Sequence, residues 1–151
     1  MTIVAIEFHY ALDSVEGVSD PTPEDTTAAG TCNWYKGKLR HDCHSVHARL
    51  SAFEKCKVVK GWIPECFEQL EPDQKFRFIH IDVDLYTPTR DSLEYFYPRL
   101  VPGGTILFDD HGFSNCPGAR KAAIDFFADK TESVVELTTC QAFVIKSGAQ
   151  C

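Results

Sequence analysis

The sequence predicts an α/β domain with a mostly parallel sheet, on three observations. Residues 76–83 (FRFIHIDV) and 105–108 (TILF) are apolar runs of strand length. Between them Leu93, Phe96, Tyr97 and Leu100 recur at helical spacing, and beyond them Ala119, Ala122, Ala123, Phe126 and Phe127 offer a second packing stripe. Strands that alternate with helices make crossover connections, which set successive strands parallel in one sheet. The 151 residues suit one domain, and a 44% hydrophobic share supports a packed core rather than disorder.

From the N-terminus, residues 3–12 (IVAIEFHYAL) read as one strand ending in the turn Asp13-Ser14-Val15-Glu16-Gly17. Residues 18–42 mix polar side chains with Pro21, Pro23 and Gly30, the composition of a long surface loop or lid. Val46, Leu50 and Phe53 give 43–55 a helical period, and Lys57-Val58-Val59-Lys60 is a short strand closed by Gly61. Pro64 opens a brief helix through Phe67 and Leu70. The run 76–83 is apolar at nearly every position, as in a strand covered on both faces. Thr87-Pro88 starts the next helix, where the missing proline N–H costs nothing, and Pro102-Gly103-Gly104 stops it. Pro117 opens the last helix, and segments near 133–137 and 142–146 close the chain as an antiparallel pair.

A formal charge of −7 argues against a nucleic-acid backbone as ligand, which needs clustered Lys and Arg. No apolar run reaches the roughly 18–20 residues of a membrane span, and residues 1–12 lack the basic start of a signal peptide. A soluble, cytoplasmic protein is expected. Seven cysteines, an odd number without a CxxC pair, do not make a disulfide framework and read as buried or incidental thiols. The stretch His41-Asp42-Cys43-His44-Ser45-Val46-His47 has a superficial zinc look. Zinc wants four ligands and the other cysteines are distant, so a polar helix start is the favoured reading.

The chemistry concentrates at two strand ends. Asp82 and Asp84 follow one run, and Asp109 and Asp110 follow the next. A crossover brings both ends to the same sheet edge, where α/β folds bind ligands. Carboxylates so crowded must hold protons or share a cation, and magnesium favours hard oxygen donors. For any one aspartate the plainer alternative is a helix cap, or an ion pair with Arg90, Arg120 or Lys121.

Gly61-Trp62-Ile63-Pro64-Glu65, Ile81-Asp82-Val83-Asp84-Leu85-Tyr86-Thr87-Pro88-Thr89, Tyr97-Pro98-Arg99-Leu100-Val101-Pro102-Gly103-Gly104, Asp109-Asp110 and Cys116-Pro117-Gly118-Ala119 stand in the order of a known motif set. That set resembles the macrocin O-methyltransferase family, class I S-adenosylmethionine-dependent enzymes that methylate sugar hydroxyls of antibiotics with the help of magnesium. Asp13-Ser14-Val15-Glu16-Gly17 with Pro21-Thr22-Pro23-Glu24-Asp25 is similar to the turn after that family's second strand. The resemblance implies a Rossmann-like sheet with an antiparallel C-terminal strand. It implies that Asp82, Asp109 and Asp110 hold magnesium and that Asp84 is the general base. Asp13 would bind the cofactor ribose and Gly61 and Trp62 the adenine, although Trp62 reads equally well as packed core. His111 stands where the family usually has Tyr, facing substrate or filling the loop. The acceptor would be a small sugar-bearing natural product.

The pattern also departs from the family. No glycine precedes Gly17, so the Gly-rich strand-loop-helix unit that holds the methionine part of the cofactor is missing upstream, and Leu12 and Val15 replace aromatics beside the turn. The expectation is a partial methyltransferase domain over 1–151, truncated or inactive, with an unfilled central strand position and homo-oligomerisation possible there. Two other readings stand beside it: a glycosyltransferase using Asp82-Val83-Asp84 to bind a nucleotide sugar through a metal, and a non-catalytic interaction protein.

Overall fold

A computed structural model describes residues 1–5, 8–42 and 48–148. A seven-stranded sheet forms its centre, from β1 (Thr2–Ala5), β2 (His9–Asp13), β3 (Cys56–Lys60), β4 (Phe76–Ile81), β5 (Leu100–Phe108), β6 (Val135–Glu136) and β7 (Ala142–Ile145). The strand order is β3-β2-β1-β4-β5-β7-β6. β2–β3 and β4–β5 pair parallel, while β1 is antiparallel to both β2 and β4, and β7 to both β5 and β6. Five strands therefore point one way and β1 and β7 the other. The α/β fold and the antiparallel C-terminal pair are as the sequence predicts.

The N-terminal run is the main correction. Residues 3–12 are not one strand. They supply two, and β1 fills the central position that the sequence left open, pairing Ile3 with Tyr10 on one side and with Ile79 on the other. Backbone N–H and C=O groups at the middle of a sheet need partners, and an antiparallel strand meets that need as well as a parallel one.

The helices α1 (Tyr86–Phe96) and α2 (Pro117–Phe127) are joined to the sheet by an aromatic core. Phe96 packs edge-on against Phe67 at 4.8 Å and Phe76 at 5.3 Å, and Phe127 against Phe108 at 6.4 Å. α1 ends at Phe96, continued by a 3-10 turn over Tyr97–Arg99, before Pro102-Gly103-Gly104 is reached. Those three residues lie inside β5, where Gly103 N–H donates to the Lys146 carbonyl at 2.8 Å.

Among the described residues β4 is fully covered on one face only, contrary to the reading of its apolar run. Ile3, Tyr10, Ile79, Ile106 and Val144 are buried in register, while Ala11, Phe78, His80, Leu107 and Phe143 on the other face stay half-exposed. Of the expected helix 43–55, residues 48–50 are helical; Cys43, His44 and His47 lie outside the described residues. Cys151 lies outside them too, and the five described cysteines, Cys32, Cys56, Cys66, Cys116 and Cys140, are free thiols.

Candidate active site

β2, β3, β4 and β5 end along one sheet edge, and Asp13, Gly61, Asp82 and Asp109 stand at or just beyond those ends. A cavity of about 210 Å³ opens there. Asp13, Gly61, Trp62, Asp82 and Asp84 all line it, joined by Leu39 and His41 from the long loop. Asp13 Oδ1 accepts the Val15 N–H at 2.7 Å, a local turn that holds the carboxylate at the strand end. Gly61 has φ 155°, and a Cβ there would stand 2.9 Å from Cys66 Cβ, so a side chain is excluded. Trp62 is half-buried at the cavity wall, not in the core.

Strand alternation divides the acidic cluster. Ile81 and Phe108 turn into the core, so Asp82 and Asp109 extend the opposite face, two residues beyond His80 and Leu107. Donor atoms of His80, Asp82 and Asp109 lie within 4.8 Å of one another, and those of Asp84, Asp110 and Cys116 form a second such group. Asp110 thus joins Asp84: its Oδ2 accepts the Asp84 N–H at 2.9 Å. Asp84 itself has φ 62°, a left-handed conformation uncommon for a residue with a side chain, and its Oδ1 accepts the Cys116 thiol at 3.8 Å.

Burial, with the nearby charges of Asp110 and Asp82, pushes the Asp84 carboxyl up to about 7. Burial is also the main cause raising Asp110 to about 6, against the lowering effect of the backbone bonds it accepts. Lys38 lowers Asp84 by less than burial and the acidic neighbours raise it, and the cations next in sequence do not relieve the crowding. Arg90 pairs with Asp91, Arg120 with Glu136 and Lys121 with Asp125. Nor does Asp84 cap α1, whose N-cap residue Leu85 offers no side-chain bond.

That cap comes from a residue the sequence did not single out for it. Asp25 is 1% exposed. Its Oδ1 accepts the Tyr86 N–H at 2.8 Å, and its Oδ2 accepts the Thr22 N–H at 2.7 Å and the Thr22 hydroxyl at 3.0 Å. A Cβ on Gly118 would land on Asp25 Oδ1, so the glycine makes room for the carboxylate. Trp34 adds a second clasp, donating its indole N–H to the Asn115 carbonyl at 2.6 Å. The Thr-x-x-Asp spacing of Thr22 and Asp25 was the available signal. His111 is buried, with Nε2 3.2 Å from Glu136 Oε1, so it fills the loop and does not line the cavity.

Residues 4–140 match the Macrocin-O-methyltransferase (TylF) family. The chain belongs to that family. Within it, 89 residues are 33% identical to the 8-demethyl-8-(2,3-dimethoxy-alpha-L-rhamnosyl)-tetracenomycin-C 4'-O-methyltransferase of Streptomyces olivaceus, covering 56% of this chain and 34% of the relative. The Mycinamicin III 3''-O-methyltransferase of Micromonospora griseorubida is 28% identical over 87 residues, covering 56% and 32%. The matches span about a third of these relatives' length. Solved structures share the fold. The calicheamicin methyltransferase CalS11 superposes with TM-score 0.76 at 20% identity over 90% of this chain and 59% of its own. The O-methyltransferase NovP gives 0.69 at 20% identity over 92% and 60%. Among the described residues no helix is long and apolar enough to cross a membrane.

Proposed function

We propose that this macrocin O-methyltransferase family chain forms a metal-assisted, S-adenosylmethionine-dependent O-methyltransferase site for a hydroxyl of a sugar-bearing natural product. The observation that supports it is the single cavity where Asp13, Gly61 and Trp62 meet Asp82 and Asp84. The rhamnosyl acceptor in one relative's name supports the sugar hydroxyl. The glycosyltransferase reading of Asp82-Val83-Asp84 loses its ground with the family membership.

The donor chemistry fits a small divalent ion. Asp82 and Asp109 are carboxylates with no cation from Arg90, Arg120 or Lys121 beside them, while Asp110, the third member of the expected set, stands with Asp84 and Cys116. When bound, S-adenosylmethionine supplies the electrophilic methyl carbon and the ion a positive charge for the acceptor oxygen. Asp84 takes the proton from that hydroxyl. A carboxyl raised to about 7 is a stronger base than an ordinary aspartate and still half ionised near neutrality. Asp13 would accept hydrogen bonds from the ribose hydroxyls, and Gly61 and Trp62, which line the same cavity, would hold the adenine. Leu39 and His41, as the loop wall of the cavity, bound the acceptor side.

Calorimetry with S-adenosylhomocysteine, with and without magnesium, tests the cofactor half; the expected result is a binding isotherm, and no heat in either condition overturns it. Transfer of labelled methyl to rhamnosyl-bearing acceptors tests the chemistry. Asp84→Asn is expected to lower turnover by about 10²-fold or more with metal binding retained. Full turnover in that variant removes Asp84 from the base role.

A further inference from the structure

We propose that His80 is a ligand of the ion held by Asp82 and Asp109, giving the centre a nitrogen donor and a preference for manganese and its first-row neighbours over magnesium. The inference rests on the metal-assisted reading above and adds a residue and an ion class to it.

The register carries the argument. β4 and β5 pair His80 with Leu107 and Ile81 with Phe108, which puts His80, Asp82 and Asp109 on one face of the sheet at its carboxyl edge. Asp110 lies next in sequence to Asp109 and joins the group on the core side with Asp84 and Cys116. The third donor that converges with Asp82 and Asp109 is therefore an imidazole. His80 Nε2 stands 3.1 Å from Asp109 Oδ1. That is a hydrogen-bond distance, and it is also about the 3 Å between neighbouring ligands on an octahedral ion with bonds of about 2.1 Å, so the pair can exchange its shared proton for a shared metal without moving apart.

The surroundings agree. His80 and Asp109 are 26% and 31% exposed, open enough for an ion to enter with its remaining waters. Gln141 Nε2 donates to Asp109 Oδ1 at 2.7 Å, a bond from outside the trio that fixes the carboxylate's orientation. Magnesium is at home with oxygen donors alone. A neutral imidazole suits later divalent ions, and a site of two carboxylates, one imidazole and water suits manganese.

The test uses Mn2+ as the probe, with electron spin-echo envelope modulation to detect a coordinated ¹⁴N and titration of free Mn2+ to measure affinity. A ¹⁴N coupling is expected in the native chain, lost in His80→Asn and kept in His41→Asn. The Mn2+/Mg2+ affinity ratio is expected to fall about tenfold in His80→Asn. Mn2+ bound through Asp82 and Asp109 without ¹⁴N coupling, and with equal affinity in His80→Asn, overturns the proposal and leaves the metal-assisted reading intact. No Mn2+ or Mg2+ binding to the native chain, with S-adenosylhomocysteine still bound, overturns both. The spectroscopic measurement on native protein decides even if the variant folds poorly.

Discussion

Two walls of the same cavity are held by different forces. The wall that carries Asp82 and Asp84 belongs to the segment 76–127, where Phe76, Phe96, Phe108 and Phe127 pack ring against ring beneath α1 and α2. The facing wall, Leu39 and His41, belongs to the loop 18–42, held by a few polar bonds. Asp25 and Trp34 clasp the loop to the helices, and across its base Val18 N–H donates to the Lys38 carbonyl at 2.9 Å. Carboxylates meant to keep fixed separations sit on the part with the deep apolar core. The part that would meet a variable acceptor is tied by contacts that can be undone one at a time.

The largest effect that sharpens this contrast is expected from Phe96→Ala. Phe96 is fully buried among Phe67, Phe76 and Tyr95. Emptying that volume costs about 3–5 kcal/mol, read as a fall in the urea midpoint that takes both walls with it. Asp25→Ala comes next. It strands the Tyr86 and Thr22 N–H groups, a loss of about 2–3 kcal/mol. Its expected signature is local: proteolysis within 18–42 at urea concentrations where the core is intact. If Asp25→Ala unfolds the core as completely as Phe96→Ala does, the two walls are one unit and the contrast is broken.

The third effect is set by pH. Asp84 titrates near 7 in the fold against 3.8 in the unfolded chain, so between those values the native state holds the extra proton. Stability therefore falls as pH rises from about 4 to about 7, by about 3–4 kcal/mol. Asp84→Asn should flatten that limb of a urea-midpoint series, gaining most over the native protein near pH 8. A divalent ion bound beside Asp84 offsets the same charge, so its thermal shift should grow with pH over that window. An unchanged pH profile in Asp84→Asn would mean that the carboxyl titrates as an ordinary exposed one.

The same contrast separates what the sequence makes legible from what it hides. β4, α1, β5 and α2 can be read because each carries its own period, and the aspartates at the strand ends follow from the crossover. β1 and β2 cannot be separated by the same means. Residues 3–12 keep strand character without a turn dipeptide, and the need for two strands arises only from the open slot between β2 and β4. The one-sided burial of β4 was hidden because Phe78 is as apolar as Ile79, and only the packing of the other face distinguishes them. Asp25 shows the limit most clearly: Thr22 is three residues away and legible, whereas Tyr86 is 61 residues away and is not. His80 escaped for a related reason, since its neighbour Asp109 becomes a neighbour only through register.

The smallest expected effect tests the loop clasp alone. Trp34 is 7% exposed, packed with Leu85, Cys116 and Ala119, and Lys38 Nζ lies 4.4 Å from its ring centre. Trp34→Phe keeps an aromatic ring in that pocket while removing the indole N–H, so the Asn115 carbonyl loses its donor. One such bond is worth about 1 kcal/mol, too little to move the urea midpoint far. The clasp nevertheless sets where Leu39 and His41 stand, because Lys38 and Gly37 are bonded back to Val18 on the same stretch of chain. Faster cleavage within 18–42 with an almost unchanged midpoint is therefore expected. Equal cleavage rates would show that Asp25 and the Val18 backbone bonds hold the loop without the indole, moving the determinant of the acceptor wall from Trp34 to the Asp25–Gly118 contact.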